Sequence, residues 1–218
     1  MPLDRLEPIL GSAVDTWATV AVAIGTIGAV AYALFRDLVV TPRRRPKLDL
    51  RFESTGNDQV VVGTAAGSDA AHVRLRVANR EGKDTADDVV VIVTEVRRHE
   101  QTMAEAKPIG LPLTWSSTSP PLTVSSVHPG SQRHIDLVHV DWPAGAETQT
   151  TPLQLDLTPK PAGGQDILDP GTYEITVEIR ARNADAICYA VLVSWDGEWS
   201  GKESIWDHLR VEPPRKVG

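Results

Sequence analysis

One cysteine, two phenylalanines and two methionines in 218 residues set the first constraints. A lone cysteine excludes an intramolecular disulfide, so the fold has to rest on its core rather than on crosslinks. Cys188 stands in AICYAVLV, a setting that reads as a small buried hydrophobe and not as a nucleophile. Sequence marks of catalysis are missing too. There is no G-x-S-x-G elbow, no P-loop and no G-x-G-x-x-G, and PAGGQD has paired glycines without the strand–glycine–helix context that cradles phosphate. No internal repeat occurs, and no helical period in the body of the chain outlasts a turn or two. These absences predict a protein that is not an enzyme, with no cofactor and no metal.

Excess positive charge is also lacking. The net charge is −7, and residues 1–45, with five arginines against four acids, leave the remainder at −8. An acidic body repels phosphate backbones, so no nucleic-acid partner is expected.

What the chain does have is one long apolar run. TWATVAVAIGTIGAVAYALF, 16–35, carries no charge and is closed by Asp15 on one side and Arg36-Asp37 on the other. As a helix it measures about 30 Å, the thickness of a bilayer hydrocarbon core. Trp17 near one end, with Tyr32 and Phe35 near the other, sit where interfacial aromatics anchor a span. A cleaved signal peptide fits less well, because the basic residues follow the run instead of preceding it. The flanks also give an orientation. Arg36, Arg43, Arg44, Arg45 and Lys47 come after the run and only Arg5 before it, which predicts an N-terminus outside and a cytoplasmic body. Ala21, Gly25, Ala29 and Ala33 form a small-residue stripe of the kind that lets two membrane helices pack, so a homo-oligomer through this helix is a candidate assembly.

After Pro46 the pattern becomes alternation by two. Leu48, Leu50 and Phe52 alternate with charged residues; Val73, Leu75 and Val77 alternate with His72, Arg74 and Arg76; Tyr173, Ile175, Val177 and Ile179 alternate with Glu174, Thr176, Glu178 and Arg180. Each is a half-buried strand. The run from Val89 to Val93 reads as a central strand buried on both faces. Turn clusters such as NREGKD, STSPP, HPGS, KPAGGQ and LDPG punctuate the body. The expected fold is all-β, an antiparallel β-sandwich of seven to nine strands behind one transmembrane helix. The expected layout is a tail over 1–15, the membrane helix over 16–36, a basic linker over 37–46, the sandwich over 47–212 and a disordered tail over 213–218.

Two stretches carry a family resemblance. HVRLRVANREGKDTADDVVVIVTEV, with Asn79 placed to close a turn and Ala86 leading into a valine-rich strand, resembles the paired strands of bacterial immunoglobulin-like, CARDB-type domains; DPGTYEITVEIRARN is similar to a late strand of the same sandwiches. The resemblance implies an interaction module with an unidentified protein partner; the apolar run adds the lipid bilayer as the other thing the chain touches.

Histidine and tryptophan remain. His134 and Asp136 share a strand face, while His139 falls on the opposite parity if the strand is regular. Two ligands on one face can begin a metal site, but nothing in the sequence nominates a third, and the pair reads as solvated strand residues. Trp195, Trp199 and Trp206 crowd the last strands and are the candidate interaction surface. Around SWDGEWS a two-residue Asp196-Gly197 hairpin puts the first two rings on opposite faces; a three-residue loop puts them on one. The expectation is a hairpin turned by Asp196-Gly197, with at least one of the rings closing the end of the core. With the body outside the cell, these tryptophans would suit an envelope or carbohydrate-binding role.

Overall fold

The structure, a computed structural model, describes residues 7–63, 69–99, 106–116, 122–142, 150–199 and 204–217, with side chains from Trp17 onward. The chain separates into two units, 1–45 and 46–218.

In the first unit the apolar run is helical. α1 spans Glu7–Phe35 and passes through a π-helical turn, Arg36–Val40, into the short α2, Thr41–Arg44. The wide turn has a local cause. Pro42 has no N–H to donate, and the backbone N–H of Thr41 bonds Arg36 O five residues back, with Thr41 Oγ1 on the same oxygen at 3.0 Å. Much of the stretch expected as a linker is therefore helical, and α1 begins within the expected N-terminal tail. The helical segment Trp17–Arg44 contains an 18-residue window of mean hydropathy 2.0 and is long and apolar enough to cross a bilayer. Trp17, Ile24, Ile27, Tyr32 and Phe35 are all exposed.

The second unit is two antiparallel sheets, each of seven strands among the described residues. In chain order the strands are β1 Leu48–Arg51, β2 Gln59–Gly63, β3 Asp69–Asn79, β4 Ala86–Arg98, β5 Lys107–Pro112, β6 Thr114–Trp115, β7 Ser125–Val127, β8 Gln132–Trp142, β9 Leu153–Leu155, β10 Ile167–Leu168, β11 Gly171–Ala181, β12 Ala184–Trp195, β13 Leu209–Val211 and β14 Arg215–Val217. A one-turn helix, α3, covers Ile205–His208.

The first sheet runs β1-β3-β8-β9-β10, the second β13-β12-β11-β4-β5. The count exceeds the expected seven to nine because the flanking strands are broken. β1 and β2 pair with successive stretches of β3, β6 and β9 with successive stretches of β8, and β13 and β14 with successive stretches of β12. Five long strands, β3, β4, β8, β11 and β12, carry the body. The stretch expected as a disordered tail, 213–218, supplies β14.

Alternation delivers the core as read. Val73, Leu75 and Val77 of β3, Ile175, Val177 and Ile179 of β11, and Val191 and Val193 of β12 are fully buried. β4 departs from expectation: Val89, Val91 and Val93 are buried but Val90 and Ile92 only partly, because the outer face of a sandwich sheet meets solvent. Cys188 likewise is half-buried on β12, opposite Glu178, rather than in the core. Asn79 is buried and closes its turn as expected. Its amide donates to Asp84 O at 2.8 Å and Val127 O at 3.0 Å, and its Oδ1 accepts from Lys47 N at 3.2 Å. STSPP lies at 117–121, outside the described residues.

Candidate functional site

The chemistry of the sandwich collects on the outer face of the first sheet. β3 contributes His72, Arg74 and Arg76, spaced by two while Val73, Leu75 and Val77 enter the core. Their pairing partners on β8 are His139, Asp136 and His134. Three cross-strand rungs result, each built from ionisable groups.

A β-bulge makes the third rung possible. Pairing slips between Val73↔Val138 and Arg74↔Asp136, leaving Leu137 without a partner on β3. Ile135, Leu137, Val138 and Val140 are all fully buried, so one extra residue is absorbed and the parity of β8 reverses beyond it. His139 then shares the outer face with His134 and Asp136, against the regular-strand expectation. The bulge also positions an acid: Asp156 N donates to Leu137 O at 3.1 Å, while Asp156 O accepts from Thr114 N at 3.2 Å. Asp156, just past β9, is thereby held beside His139.

The rungs differ in their partners. Arg76 Nε lies 3.1 Å from Asp58 Oδ1 and Arg76 Nη2 2.7 Å from Glu53, and His134 Nε2 approaches Asp58 Oδ1 at 3.4 Å. Asp58 is fully buried and its other oxygen accepts from Glu53 N at 2.6 Å, which fastens the β1–β2 connection to the sheet. The hydrogen bond to Glu53, together with the charge of Asp58, outweighs burial and raises the Arg76 pKa. In the middle rung Asp136 Oδ1 accepts from Arg74 Nε at 2.8 Å and Ser116 Oγ at 2.6 Å. His134 and Asp136 do share a face, but each is engaged with a different partner.

In the last rung the rings of His72 and His139 stack with centroids 5.3 Å apart and planes 28° from parallel. His139 Nδ1 is 2.8 Å from Asp156 Oδ1, and His72 Nδ1 is 3.7 Å from Asp156 Oδ2. Burial alone would raise the Asp156 carboxyl, but the bond to His139 and the nearness of both imidazoles hold it at about 2. Burial works the other way on His139, and there Asp156 and Asp141 prevail over it and over the opposing charge of Lys160, so its pKa is raised. The sequence reading missed this triad. The adjacent apolar pair Leu137-Val138, which breaks the alternation of RHIDLVHV, is the signal that exposes the bulge.

The tryptophans go elsewhere. Trp195 is 1% exposed, and its indole N–H donates to Thr151 O at 2.7 Å; Trp199 is 2% exposed and lies against Trp142 at 5.5 Å. Trp206 is half-buried and packs on the same core. Two of the three residues expected at an interaction surface are thus core residues. Nor does Asp196-Gly197 turn a hairpin, since β12 pairs next with β13 through Trp195↔Leu209, after an excursion over 196–208. Asp196 Oδ1 does accept from Glu198 N at 2.9 Å. However, Gly197, at φ +92°, is packed so closely that a Cβ would come within 2.6 Å of Pro170, and its carbonyl accepts from Thr151 N. The turn is committed to the 150–151 and 170 segments rather than to a returning strand.

At one end of the sandwich a cleft of about 570 Å³ is lined by residues that include Lys47, Asp49, Arg51, Gln132, Tyr189 and Lys216. Its walls are mixed in charge, and within them Tyr189 Oη donates to Asp49 Oδ1 at 2.9 Å. On the helix, Ala21, Gly25, Ala29 and Ala33 are exposed, and a Cβ at Gly25 would meet nothing within 4 Å. Arg36, Arg43, Arg44 and Arg45 are exposed at its C-terminal end.

The chain is a two-sheet antiparallel β-sandwich with one N-terminal apolar helix. No protein-family model, curated protein or solved structure matches it.

Proposed function

We propose that this is a single-pass membrane protein whose β-sandwich is a non-catalytic, immunoglobulin-like protein-interaction module held at the cytoplasmic face, with the N-terminus outside. The observation that carries the reading is the helix, which presents Trp17, Val22, Ile24, Ile27, Tyr32, Leu34 and Phe35 as exposed apolar surface. Such a stripe needs a partner of its own length and character, and a lipid bilayer supplies one. Four arginines after the span and one before it favour retention of the C-terminal side in the cytoplasm. The CARDB-type resemblance of the β3–β4 pair favours an interaction role, and the buried amide of Asn79 gives that turn a rigid form suited to recognition. The burial of Trp195 and Trp199 removes the main support for a carbohydrate-binding platform outside the cell.

Protease protection tests the placement. In sealed vesicles of known orientation carrying the full chain, the sandwich should be digested only when the cytoplasmic face is outward. Digestion from the extracytoplasmic face would overturn the reading.

A further inference from the structure

We propose that His72, His139 and Asp156 form a binding site for a divalent transition-metal ion of the zinc type, with at least one coordination position open to solvent. The proposal concerns ion binding on the sandwich and does not rest on the membrane tether.

Three observations converge. The first is donor chemistry: two imidazoles and one carboxylate on three neighbouring backbone segments, with one ligand atom from each residue all within 4.8 Å of one another. Imidazole nitrogen with one carboxylate suits zinc and its first-row neighbours better than calcium or magnesium, which prefer oxygen alone.

The second is that two of the donors lack a hydrogen-bond partner. His72 Nδ1 and Asp156 Oδ2 are both buried, and neither makes a hydrogen bond. They face each other at 3.7 Å, too far for a hydrogen bond. Two ligands bonded at about 2.0–2.1 Å to a tetrahedral ion sit about 3.3 Å apart, so this gap needs to close by only a few tenths of an ångström to share an ion. The contact between His139 Nδ1 and Asp156 Oδ1, at 2.8 Å, opens by a similar amount when an ion replaces the proton between them.

The third is placement. The side chains of His72, His139 and Asp156 are 22%, 11% and 16% exposed, so the site is shielded yet reachable. Asp156 is pinned through its backbone by Leu137 O and Thr114 N, so the main chain that carries its carboxylate is held beside the two imidazoles. Two further charges bear on the site. Asp141 stands 3.7 Å from His139 Nε2 and favours a cation; Lys160 opposes one. Three protein ligands at the edge of solvent correspond to an open site rather than a closed structural one.

The test uses the untagged full chain in detergent micelles, stripped with a chelator, then titrated with Zn²⁺ by calorimetry and with Co²⁺ by visible absorption. One equivalent of either ion should bind, and Co²⁺ should give the intense d–d bands of a low-coordinate nitrogen–oxygen site. H72Q and D156N should each weaken Zn²⁺ binding by about 100-fold or more, while H208Q, whose ring pairs with Asp196 away from the site, should leave it unchanged. H72Q is the decisive variant, since it removes a ligand atom that makes no hydrogen bond and leaves the His139–Asp156 contact in place; a cooperative thermal transition without metal shows that it folds. Failure of the parent to bind either ion, or binding that survives H72Q, would overturn the proposal and leave the triad as a His139–Asp156 hydrogen bond with the His72 ring stacked beside it.

Discussion

The outer faces of the two sheets use the same alphabet for different ends. On the first sheet, charged residues alternate along β3 and β8 and meet across strands, half-buried. Arg76 is 12% exposed and Asp58 not at all, and Arg74 and Asp136 are 18% and 15% exposed. On the second sheet Arg97 with Glu95 on β4 and Arg180 with Glu178 on β11 pair within one strand at a spacing of two, each with its arginine more than half exposed, 51% and 55%. Water screens the second set, and such pairs contribute little to stability. Burial strips water from the first set, so every unmatched charge there is costly, and a chain retains that arrangement where the groups hold something. Charge patterning alone does not separate the two faces; depth does.

Removing a buried partner is the harshest way to test that difference. In D58A, Arg76 and His134 lose the carboxylate they converge on, and Glu53 N loses its acceptor. Breaking a buried pair from one side costs about 3–5 kcal/mol. D58A should therefore lower stability by an amount in that range, read from denaturant midpoints of the full chain in micelles. A loss below about 1 kcal/mol would mean that the first sheet is solvated like the second.

A bond that joins the sheets gives the next test. Tyr189 of β12 points inward and donates to Asp49 Oδ1 of β1 at 2.9 Å. Burial, reinforced by the Asp49 carboxylate, pushes the phenol up to about 12 from an ordinary 10.0. Because the folded-state pKa is raised, the contribution of this group is fully present below about 10 and is lost as pH rises from there towards 12. An alkaline titration should show the Tyr189 phenol ionising late, with stability falling over that window. In Y189F the dependence should flatten, with a neutral-pH loss of about 1 kcal/mol for the bond itself.

How much of this was legible in the sequence follows from how local each signal is. The apolar helix, the alternation of β3 and β11 and the Asn79 turn depend on residues near one another, and each reads directly. The outward face of His72, Arg74 and Arg76 could be read for the same reason. Their partners could not: Asp58 joins Arg76 across a connection of loop and strand, and Asp156 reaches His139 only because β9 lies beside β8. The bulge at Leu137 sat between these cases, marked by two consecutive apolar residues but resolved only by pairing with β3. SWDGEWS misled because Asp-Gly is a strong hairpin signal on its own, and here packing against Pro170 and Thr150 overrides it.

The gentlest test is made on the second sheet. Glu95 and Arg97 are 36% and 51% exposed, 2.8 Å apart. E95Q keeps the shape of the side chain and its hydrogen-bonding capacity while deleting the charge. The expected change in stability is under about 0.5 kcal/mol, and it should shrink further as salt is raised, because a screened pair has little left to lose. A shift as large as that of D58A would place the second sheet's charges in a dry environment and dissolve the distinction between the faces; a null result beside a large D58A effect confines the electrostatic investment of the fold to the sheet that carries the histidines.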